Sequence, residues 1–173
     1  EDLLRLTRLD SGAVEPAVCV AVKPVLERAA RMLQPVARQR EVELTCRADE
    51  AAAVRATEGD VHQILYNLME NGVKYTAPGG FVHTSVSVEE GQVVITVSDN
   101  GIGIPVEDMP HIFERFYRVD KARSRQIGGT GLGLSIVGDT VQRRGGEIGV
   151  APRKGGGTVF TVSFPQAEPE VTA

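Results

Sequence analysis

Three patterns are scarce or missing in this sequence, and each absence excludes a class of protein. No apolar run approaches the length of about 20 residues that spans a membrane, and no basic start followed by an apolar stretch marks a signal peptide. Cys19 and Cys46 lie far apart without Cys-x-x-Cys or Cys/His spacing, which favours a reducing compartment and two small core residues over a disulfide framework or a zinc site. A net charge of -4 argues against a general nucleic-acid or anionic-membrane surface, so any anion site must be local.

The length and composition predict one compact domain. The chain has 173 residues, of which 42% are hydrophobic. Leu3, Leu4, Leu6 and Leu9 form a short apolar stripe that ends at Ser11-Gly12, as in the last turns of a helix that needs a partner. Because the chain starts without methionine inside this helix, we expect it to be a piece of a longer protein.

The hydrophobic pattern predicts both helices and strands. Apolar spacing indicates helices over 24–40, 60–75 and 130–144, and a short amphipathic stretch over 111–117. Alternation indicates strands over 42–46, 82–88, 93–98, 147–151 and 158–164, with a hairpin turn at Glu89-Glu90-Gly91. The polar tail 166–173 is predicted to be disordered. Because helices and strands mix without strict alternation, we expect a two-layer α/β sandwich over a mixed sheet rather than a parallel doubly wound fold.

The second predicted helix carries amides where a surface would more often carry charges. Asn67, Asn71 and Lys74 are spaced to share one face. An amide oxygen is a hard, neutral ligand for Mg²⁺, and a lysine one turn further on suits a phosphate. The alternative is an ordinary amphipathic helix with a solvated polar stripe.

The predicted strand over 93–98 is followed by Asp99-Asn100-Gly101-Ile102-Gly103-Ile104-Pro105. A carboxylate at the end of a buried strand accepts a hydrogen bond from an adenine amino group, and the glycines let a ring approach the backbone. Asn-Gly is also the commonest signal of a tight hairpin turn. Pro105 disfavours that alternative, because proline cannot donate where the returning strand would begin.

A glycine-rich segment, Gly128-Gly129-Thr130-Gly131-Leu132-Gly133-Leu134, precedes the last predicted helix. It is not a P-loop, because Leu134 stands where the lysine should be, and it is not a dinucleotide fingerprint, because Ile136 occupies the third glycine position. A glycine-rich start of a helix still favours an anion. A flexible loop capped by Thr130 remains the alternative.

Between the two glycine-rich segments the residues 113–125 carry five cations. A solvated charge run is the default interpretation. The position between a predicted adenine loop and a predicted phosphate loop favours a mobile lid that screens triphosphate charge, anchored by Phe113 and Phe116.

Together and in this order, these motifs resemble the catalytic domain of sensor histidine kinases. Four sequence motifs of that family have counterparts here. Its asparagine box is similar to Asn67-Leu-Met-Glu-Asn71-Gly-Val-Lys74-Tyr75-Thr76, and its first glycine box is similar to Asp99-Asn-Gly-Ile-Gly103. Its phenylalanine box is similar to Phe113-Glu-Arg-Phe116, and its second glycine box is similar to Gly129-Thr-Gly131-Leu-Gly133-Leu. The resemblance implies the Bergerat-type ATP-binding fold shared with DNA gyrase, the heat-shock chaperone of roughly ninety kilodaltons and MutL, with a mixed sheet covered on one face by helices. It implies a catalytic domain over 13–165, preceded by the end of a dimerisation and phosphoacceptor helix over 1–12.

The resemblance also implies roles for individual residues. Asn71 would coordinate Mg²⁺ with Asn67 beside it, Lys74 and Arg118 would meet the phosphates, and Asp99 would meet the adenine amine. Asn67, Asn71, Lys74 and Arg118 would form the catalytic set. Further nucleotide contacts fall to Tyr75, Gly101, Gly103, Ile104, Tyr117, Gly129, Thr130, Gly131, Leu132, Gly133 and Leu134.

The function implied is transfer of the γ-phosphate of Mg-ATP to a histidine. Relatives that activate water carry glutamate at the position of Asn67, and an amide cannot take a proton from water, so vigorous hydrolysis is not expected. None of His62, His83 or His111 fits the family's phosphorylated position, so the acceptor would lie on a separate module, with relay to a response regulator. The resemblance implies a cytoplasmic domain of a membrane-anchored homodimer. A nucleotide-gated interaction domain without phosphotransfer is the alternative.

Overall fold

The computed structural model describes residues 15–115, 117 and 133–168. In chain order the elements are β1 (Val18–Ala21), α1 (Val22–Gln39), β2 (Glu43–Ala48), β3 (Ala53–Ala56), α2 (Glu58–Lys74), β4 (Phe81–Glu89), β5 (Gln92–Asp99), a 3-10 helix (Val106–His111), α3 (Gly133–Arg143), β6 (Glu147–Pro152) and β7 (Thr158–Pro165).

Five of the strands form one mixed sheet. Their order is β2-β4-β5-β7-β6, with β2 and β4 parallel and the other neighbours antiparallel. Alternate residues are buried along the central strands, as at Val93, Ile95 and Val97 in β5, so one face of the sheet packs into the core. The predicted two-layer α/β sandwich with a mixed sheet is confirmed.

The helices cover that buried face. Helix α1 packs on α2 and β2, α2 packs on β4 and β5, and α3 packs on α2. Leu65 and Leu68 of α2 are almost fully buried in this layer, and burying a leucine side chain is worth about 2 kcal/mol. A capping box fixes the start of α2, because the Thr57 hydroxyl accepts from the Asp60 N–H at 3.0 Å and the Asp60 carboxylate accepts from the Thr57 N–H at 3.4 Å. The position of the polar face of α2 is therefore set from both its apolar side and its first turn.

The predicted hairpin is confirmed between β4 and β5. Glu89 pairs with Gln92, and the two residues between them have positive φ, 50° at Glu90 and 76° at Gly91. Two consecutive residues with positive φ match the right-handed twist of the flanking strands.

The sequence patterns missed a second, small sheet. Strands β1 and β3 pair antiparallel, with Val20 opposite Val54. Each has four residues, too few for a recognisable alternation, and β3 is rich in alanine. Their pairing is a tertiary contact that local propensity does not encode.

Three further predictions were wrong in detail. The amphipathic stretch expected over 111–117 overlaps the observed 3-10 helix at one residue only, because that helix begins at Val106 and ends at His111. The tail expected to be disordered from 166 is held at its start, because the Gln166 N–H donates to Gly91 O at 2.9 Å and the Ala167 N–H donates to Ala53 O at 2.8 Å. Cys19 and Cys46 are free thiols, as expected, and both are half-buried; Cys46 packs against the core, whereas Cys19 is not part of the core cluster.

No helix in the described part of the chain is both long and apolar enough to cross a membrane.

Candidate functional site

Asp99 is the last residue of β5, and its side chain is buried on the helix-covered face with only 5% of the residue exposed. Its Oδ1 accepts a hydrogen bond from the Gly101 N–H at 2.9 Å, and the Thr158 N–H also donates to it. Burial raises the pKa of Asp99 above its ordinary value, whereas these two N–H groups and the charge of Arg153 act in the opposite direction. The site therefore holds a carboxylate that is costly to bury and is oriented by the backbone.

The loop after Asp99 packs directly on the C-terminal end of α2. The Ile102 N–H donates to Tyr75 O at 3.1 Å. A Cβ on Gly101 would lie 2.3 Å from Tyr75 O and 2.9 Å from the Thr76 hydroxyl, so only glycine fits there. The Thr76 hydroxyl is buried without a hydrogen-bond partner among the described residues. An orphaned buried hydroxyl beside a buried carboxylate is a feature that a polar ligand group would satisfy.

A second close approach comes from the turn before β7. Gly157 has φ of 106°, and a Cβ on it would lie 1.9 Å from Asp99 O and 2.8 Å from Asn100 Cα. The backbone from Asp99 to Ile102 thus lies between this turn, which contacts Asp99 and Asn100, and the end of α2, which contacts Gly101 and Ile102. Sequence reasoning missed Gly157. The run Gly155-Gly156-Gly157 was the available signal, but without the pairing of β5 with β7 it indicates only a turn.

The polar face of α2 lies beside the start of α3. Asn67 is only 7% exposed, and its Nδ2 donates to Gly133 O at 3.4 Å. The alternative of a solvated stripe is therefore wrong for Asn67. Asn71 is half-buried, and its side-chain amide makes no hydrogen bond to any described residue.

Lys74 has a partner on its own helix. Its Nζ lies 3.4 Å from Oε1 of Glu70, and both side chains are about a third exposed, at 29% and 33%. Glu70 precedes the predicted metal ligand Asn71 and is not among the predicted site residues. The structure makes it the charge partner of the predicted phosphate-binding lysine.

The remaining predicted residues divide into three groups. Tyr75, Gly103 and Ile104 lie in the segments around Asp99, at the end of α2 and in the loop after β5, and Leu134 lies in the first turn of α3. Tyr117 lies further away along the chain, and its hydroxyl donates to Asp108. Outside the described residues lie Phe116, Arg118, Gly129, Thr130, Gly131 and Leu132.

The apolar anchor predicted at Phe113 is present. Its ring meets Phe160 edge-on with 6.2 Å between centroids, and a Cβ on Gly138 of α3 would lie 3.3 Å from Phe113 Cβ. Phe113 therefore fastens the segment after the 3-10 helix to α3 and the sheet.

Each histidine has a local contact. His62 stacks on Tyr66 at 5.7 Å between centroids, His83 Nδ1 lies 2.8 Å from the Thr45 hydroxyl, and His111 Nδ1 lies 3.0 Å from Glu114. Burial lowers the pKa of His62. These contacts agree with structural roles.

The comparisons with known proteins agree with this geometry. The family model described as "Histidine kinase-, DNA gyrase B-, and HSP90-like ATPase" matches residues 56–168. The sensor histidine kinase WalK of Bacillus subtilis is 44% identical over 122 residues, which are 69% of this chain and 20% of WalK. The sensor-like histidine kinase SenX3 of Mycolicibacterium smegmatis is 36% identical over 166 residues, which are 95% of this chain and 43% of SenX3.

Solved structures are similar over the same region. Full-length ShkA in complex with AMPPNP superposes with a TM-score of 0.83 and 31% identity, covering 98% of this chain and 35% of ShkA. The mycobacterial sensor histidine kinase MprB gives a TM-score of 0.74 with 26% identity, covering 89% of this chain and 99% of that structure. This chain therefore spans less than half the length of the curated relatives described, 20% of WalK and 43% of SenX3. It belongs to the family of histidine kinase-, DNA gyrase B- and HSP90-like ATPases, in which it resembles the catalytic domains of sensor histidine kinases.

Proposed function

We propose that this domain binds Mg-ATP and transfers the γ-phosphate to a histidine on a separate dimerisation and phosphoacceptor module. The observation that carries the proposal is the arrangement around Asp99. The carboxylate of Asp99, a residue that is only 5% exposed, ends a strand beside Gly101, where no Cβ fits. The loop after Asp99 is hydrogen-bonded to Tyr75 at the end of α2, the helix that carries the polar face. The relative ShkA has been solved with AMPPNP, which supports nucleotide binding in the same fold.

Adenine recognition rests on Asp99 in this proposal. An adenine amino group donates a hydrogen bond, and a carboxylate whose orientation is fixed by the Gly101 and Thr158 N–H groups is a suitable acceptor. Gly101 lets the loop pack on Tyr75 O, where a Cβ would lie 2.3 Å away, and the ring would lie against the bare backbone of Gly103, where a Cβ would have no neighbour closer than 3.6 Å. The unpaired hydroxyl of Thr76 is available to a polar atom of the base or to a water beside it.

Phosphate and metal binding rest on the polar face of α2 and the start of α3. Asn71 fits a Mg²⁺ ligand, because its half-buried amide has no partner among the described residues and an amide oxygen is a hard, neutral donor. Bound Mg²⁺ would supply charge neutralisation for the triphosphate. Lys74 would add a point charge, with Arg118 and the glycine-rich segment 129–134 as further phosphate contacts. Tyr75, Ile104 and Tyr117 would flank the nucleoside.

Transfer rather than hydrolysis follows from Asn67. Water-activating relatives carry glutamate at the position of Asn67. Here Asn67 is buried, and its amide donates a hydrogen bond to Gly133 O. An amide has no basic site for a water proton. The contribution of this chain would therefore be to bind and orient the triphosphate until an acceptor arrives.

The rest of the protein is proposed from the family. Residues 1–12 would be the end of the second helix of the phosphoacceptor module, 13–165 with Gln166 and Ala167 would be the catalytic domain, and the residues from 168 onward would be a tail. The whole protein would be a membrane-anchored homodimer with its catalytic domain in the cytoplasm, and it would pass its phosphate to a response regulator. A nucleic-acid partner is not part of this proposal.

Calorimetric titration of the chain with AMPPNP, with and without Mg²⁺, tests the proposal. Binding should occur, should strengthen with Mg²⁺, and should be followed in a second assay by transfer from labelled ATP to a supplied phosphoacceptor module. A chain that binds no nucleotide would contradict the proposal. Binding with rapid release of free phosphate and no transfer would favour a hydrolysing relative instead.

A further inference from the structure

Arg153 is bonded to the glycine turn that presses on Asp99. Its backbone N–H donates to Gly157 O at 3.0 Å, and the Gly156 N–H donates back to Arg153 O at 3.0 Å. Its side chain adds a third bond, from Nη1 to Gly156 O at 3.1 Å. Any residue at position 153 could make the two backbone bonds, so the arginine side chain contributes the third bond to the turn that brings Gly157 against Asp99 O.

The same guanidinium reaches the opposite flank of Asp99. It lies over the ring of Phe81, 4.9 Å from the ring centroid. Phe81 is bonded to the residue after Asp99, because its N–H donates to Asn100 Oδ1 at 2.7 Å and the Asn100 N–H donates to Phe81 O at 3.4 Å. One side chain therefore connects both neighbours of the Asp99–Asn100 segment.

The sheet order shows how far this connection extends. Val82 of β4, Asp99 of β5, Thr158 of β7 and Pro152 of β6 form one row across four neighbouring strands. Arg153 follows Pro152 and contacts Phe81, which precedes Val82, so its side chain crosses the ends of β7 and β5. Val82 is buried on the helix side, and side chains alternate along a strand, so Phe81 is on the other face. Arg153 braces the strand ends from the face opposite to the Asp99 carboxylate.

We propose that Arg153 is a positioning residue for adenine recognition, which braces the ends of β4, β5 and β7 so that the Asp99 carboxylate stays aimed at the base. This inference rests on the proposed function. Arg153 also acts electrostatically, since it is the one charged side chain among the described residues that shifts the pKa of Asp99, and it lowers that pKa against the effect of burial. The brace and the charge favour the same state, an oriented and ionised acceptor.

The test compares Arg153→Met with Lys154→Met in the whole chain. Lys154 is exposed in the same turn, so its replacement removes one positive charge without a described contact. Adenosine and AMPPNP are titrated calorimetrically into each protein. Arg153→Met should weaken both ligands by the same factor, roughly tenfold as for one cation–π contact with a charge-assisted hydrogen bond, because the defect lies at the base. Lys154→Met should leave adenosine affinity unchanged.

The pH profile separates positioning of the acceptor from general support of the fold. Loss of Arg153 raises the pKa of Asp99, so adenosine binding should fail at a higher pH in Arg153→Met than in the unmodified protein. Arg153→Lys keeps the charge but not the planar contact, so it should lose affinity with little movement of that pH. An arginine that only supports the fold would leave the pH at which binding fails unchanged.

The outcomes are distinguishable. If the unmodified chain binds neither ligand, the proposed function itself is wrong. If it binds both and Arg153→Met matches Lys154→Met, the role of Arg153 is wrong. If Arg153→Met does not fold, a folded Arg153→Lys protein decides, because reduced adenosine affinity supports the proposal and unchanged affinity overturns it.

Discussion

Around Asp99 the candidate site consists of backbone packed on backbone, whereas along α2 it consists of side chains that project from a helix. On the first side Gly101 and Gly157 meet Tyr75 O and Asp99 O at distances that exclude any Cβ. On the second side Asn67 and Lys74 each make a polar contact, whereas half-buried Asn71 makes none to a described residue, so these side chains are positioned mainly by their helix.

The difference indicates how each side should respond to substitution. Where backbone packs on backbone, the strain from any added atom spreads to the strands and to the whole sheet, because the close-packed interior has no room for that atom. A helix face tolerates exchange of its polar groups with little effect on folding, so its substitutions should report on ligand binding alone. The predictions below test this contrast.

The largest effect is expected for Gly157→Ala. Its Cβ would lie 1.9 Å from Asp99 O in a residue with φ of 106°, so overlap adds to backbone strain. We expect the free energy of unfolding to fall by about 4 kcal/mol, measured by urea denaturation. Gly156→Ala is the matched control, because Gly156 has φ of 111° but nothing within 4 Å, and it should cost about 1 kcal/mol. Equal losses in the two variants would show that the contact with Asp99 does not matter.

Asp99→Asn should weaken AMPPNP binding roughly thirtyfold, because the base loses a charged acceptor. Asp49→Asn is the control. Asp49 also accepts a backbone hydrogen bond, from Ala51 at 2.8 Å, but it follows β2 at the end of the sheet away from Asp99. Unchanged affinity in Asp99→Asn would remove this residue from the site.

The same substitution should stabilise the unliganded domain at neutral pH. A carboxyl with a raised folded-state pKa binds protons more tightly when folded, so its contribution to stability is present at low pH and is lost as pH rises through that pKa. Asp99→Asn should therefore unfold at higher urea than the unmodified domain at pH 7, and the difference should vanish below pH of about 4. A variant that is less stable at pH 7 would contradict this electrostatic account.

Asn71→Ala should reduce the affinity for Mg-AMPPNP roughly tenfold, the range for loss of one group that binds or supports a metal. Adenosine provides the control ligand, since it has no phosphates, and its affinity should stay unchanged. Loss of adenosine binding in this variant would mean that the polar face of α2 and the backbone around Asp99 do not bind their parts of the nucleotide independently.

The smallest effect is expected for Glu70→Gln. Its carboxylate lies 3.4 Å from Lys74 Nζ, so a triphosphate would have to compete for that ammonium. Removing the carboxylate should strengthen AMPPNP binding roughly two- to threefold at low salt, and the gain should shrink as salt screens the charges. Glu50→Gln, which removes the partner of Lys23 at 3.1 Å, should change nothing. Weaker binding in Glu70→Gln would show that the carboxylate assists the ligand.

The predictions that succeeded rest on local signals. Helix α2 and the β4–β5 hairpin were predictable because apolar spacing and the Glu-Glu-Gly turn act over a few residues. The polar side chains of α2 and Asp99 were also visible as candidates. What the sequence did not provide was their burial, which excludes the solvated alternative for Asn67.

The parts that were missed depend on pairing between distant segments. Gly157 and Arg153 acquire their roles only once β7 is paired with β5 and β6, which no local pattern specifies. The pairing of β1 with β3 is of the same kind. Most of the lid and residues 129–132 of the second glycine box fall outside the described residues, so their assignments stay predictions.

The row that joins Asp99 to Thr158 also orders events during synthesis of the chain. Strand β5 finds β4 across a two-residue turn, but its other neighbour, β7, is made much later, and distant pairings form more slowly than hairpins. A growing chain that has not reached Gly157 lacks the turn that packs against the backbone of Asp99. Under the proposed function, a nucleotide would then bind only a chain completed through β7, and by binding it would stabilise the completed domain.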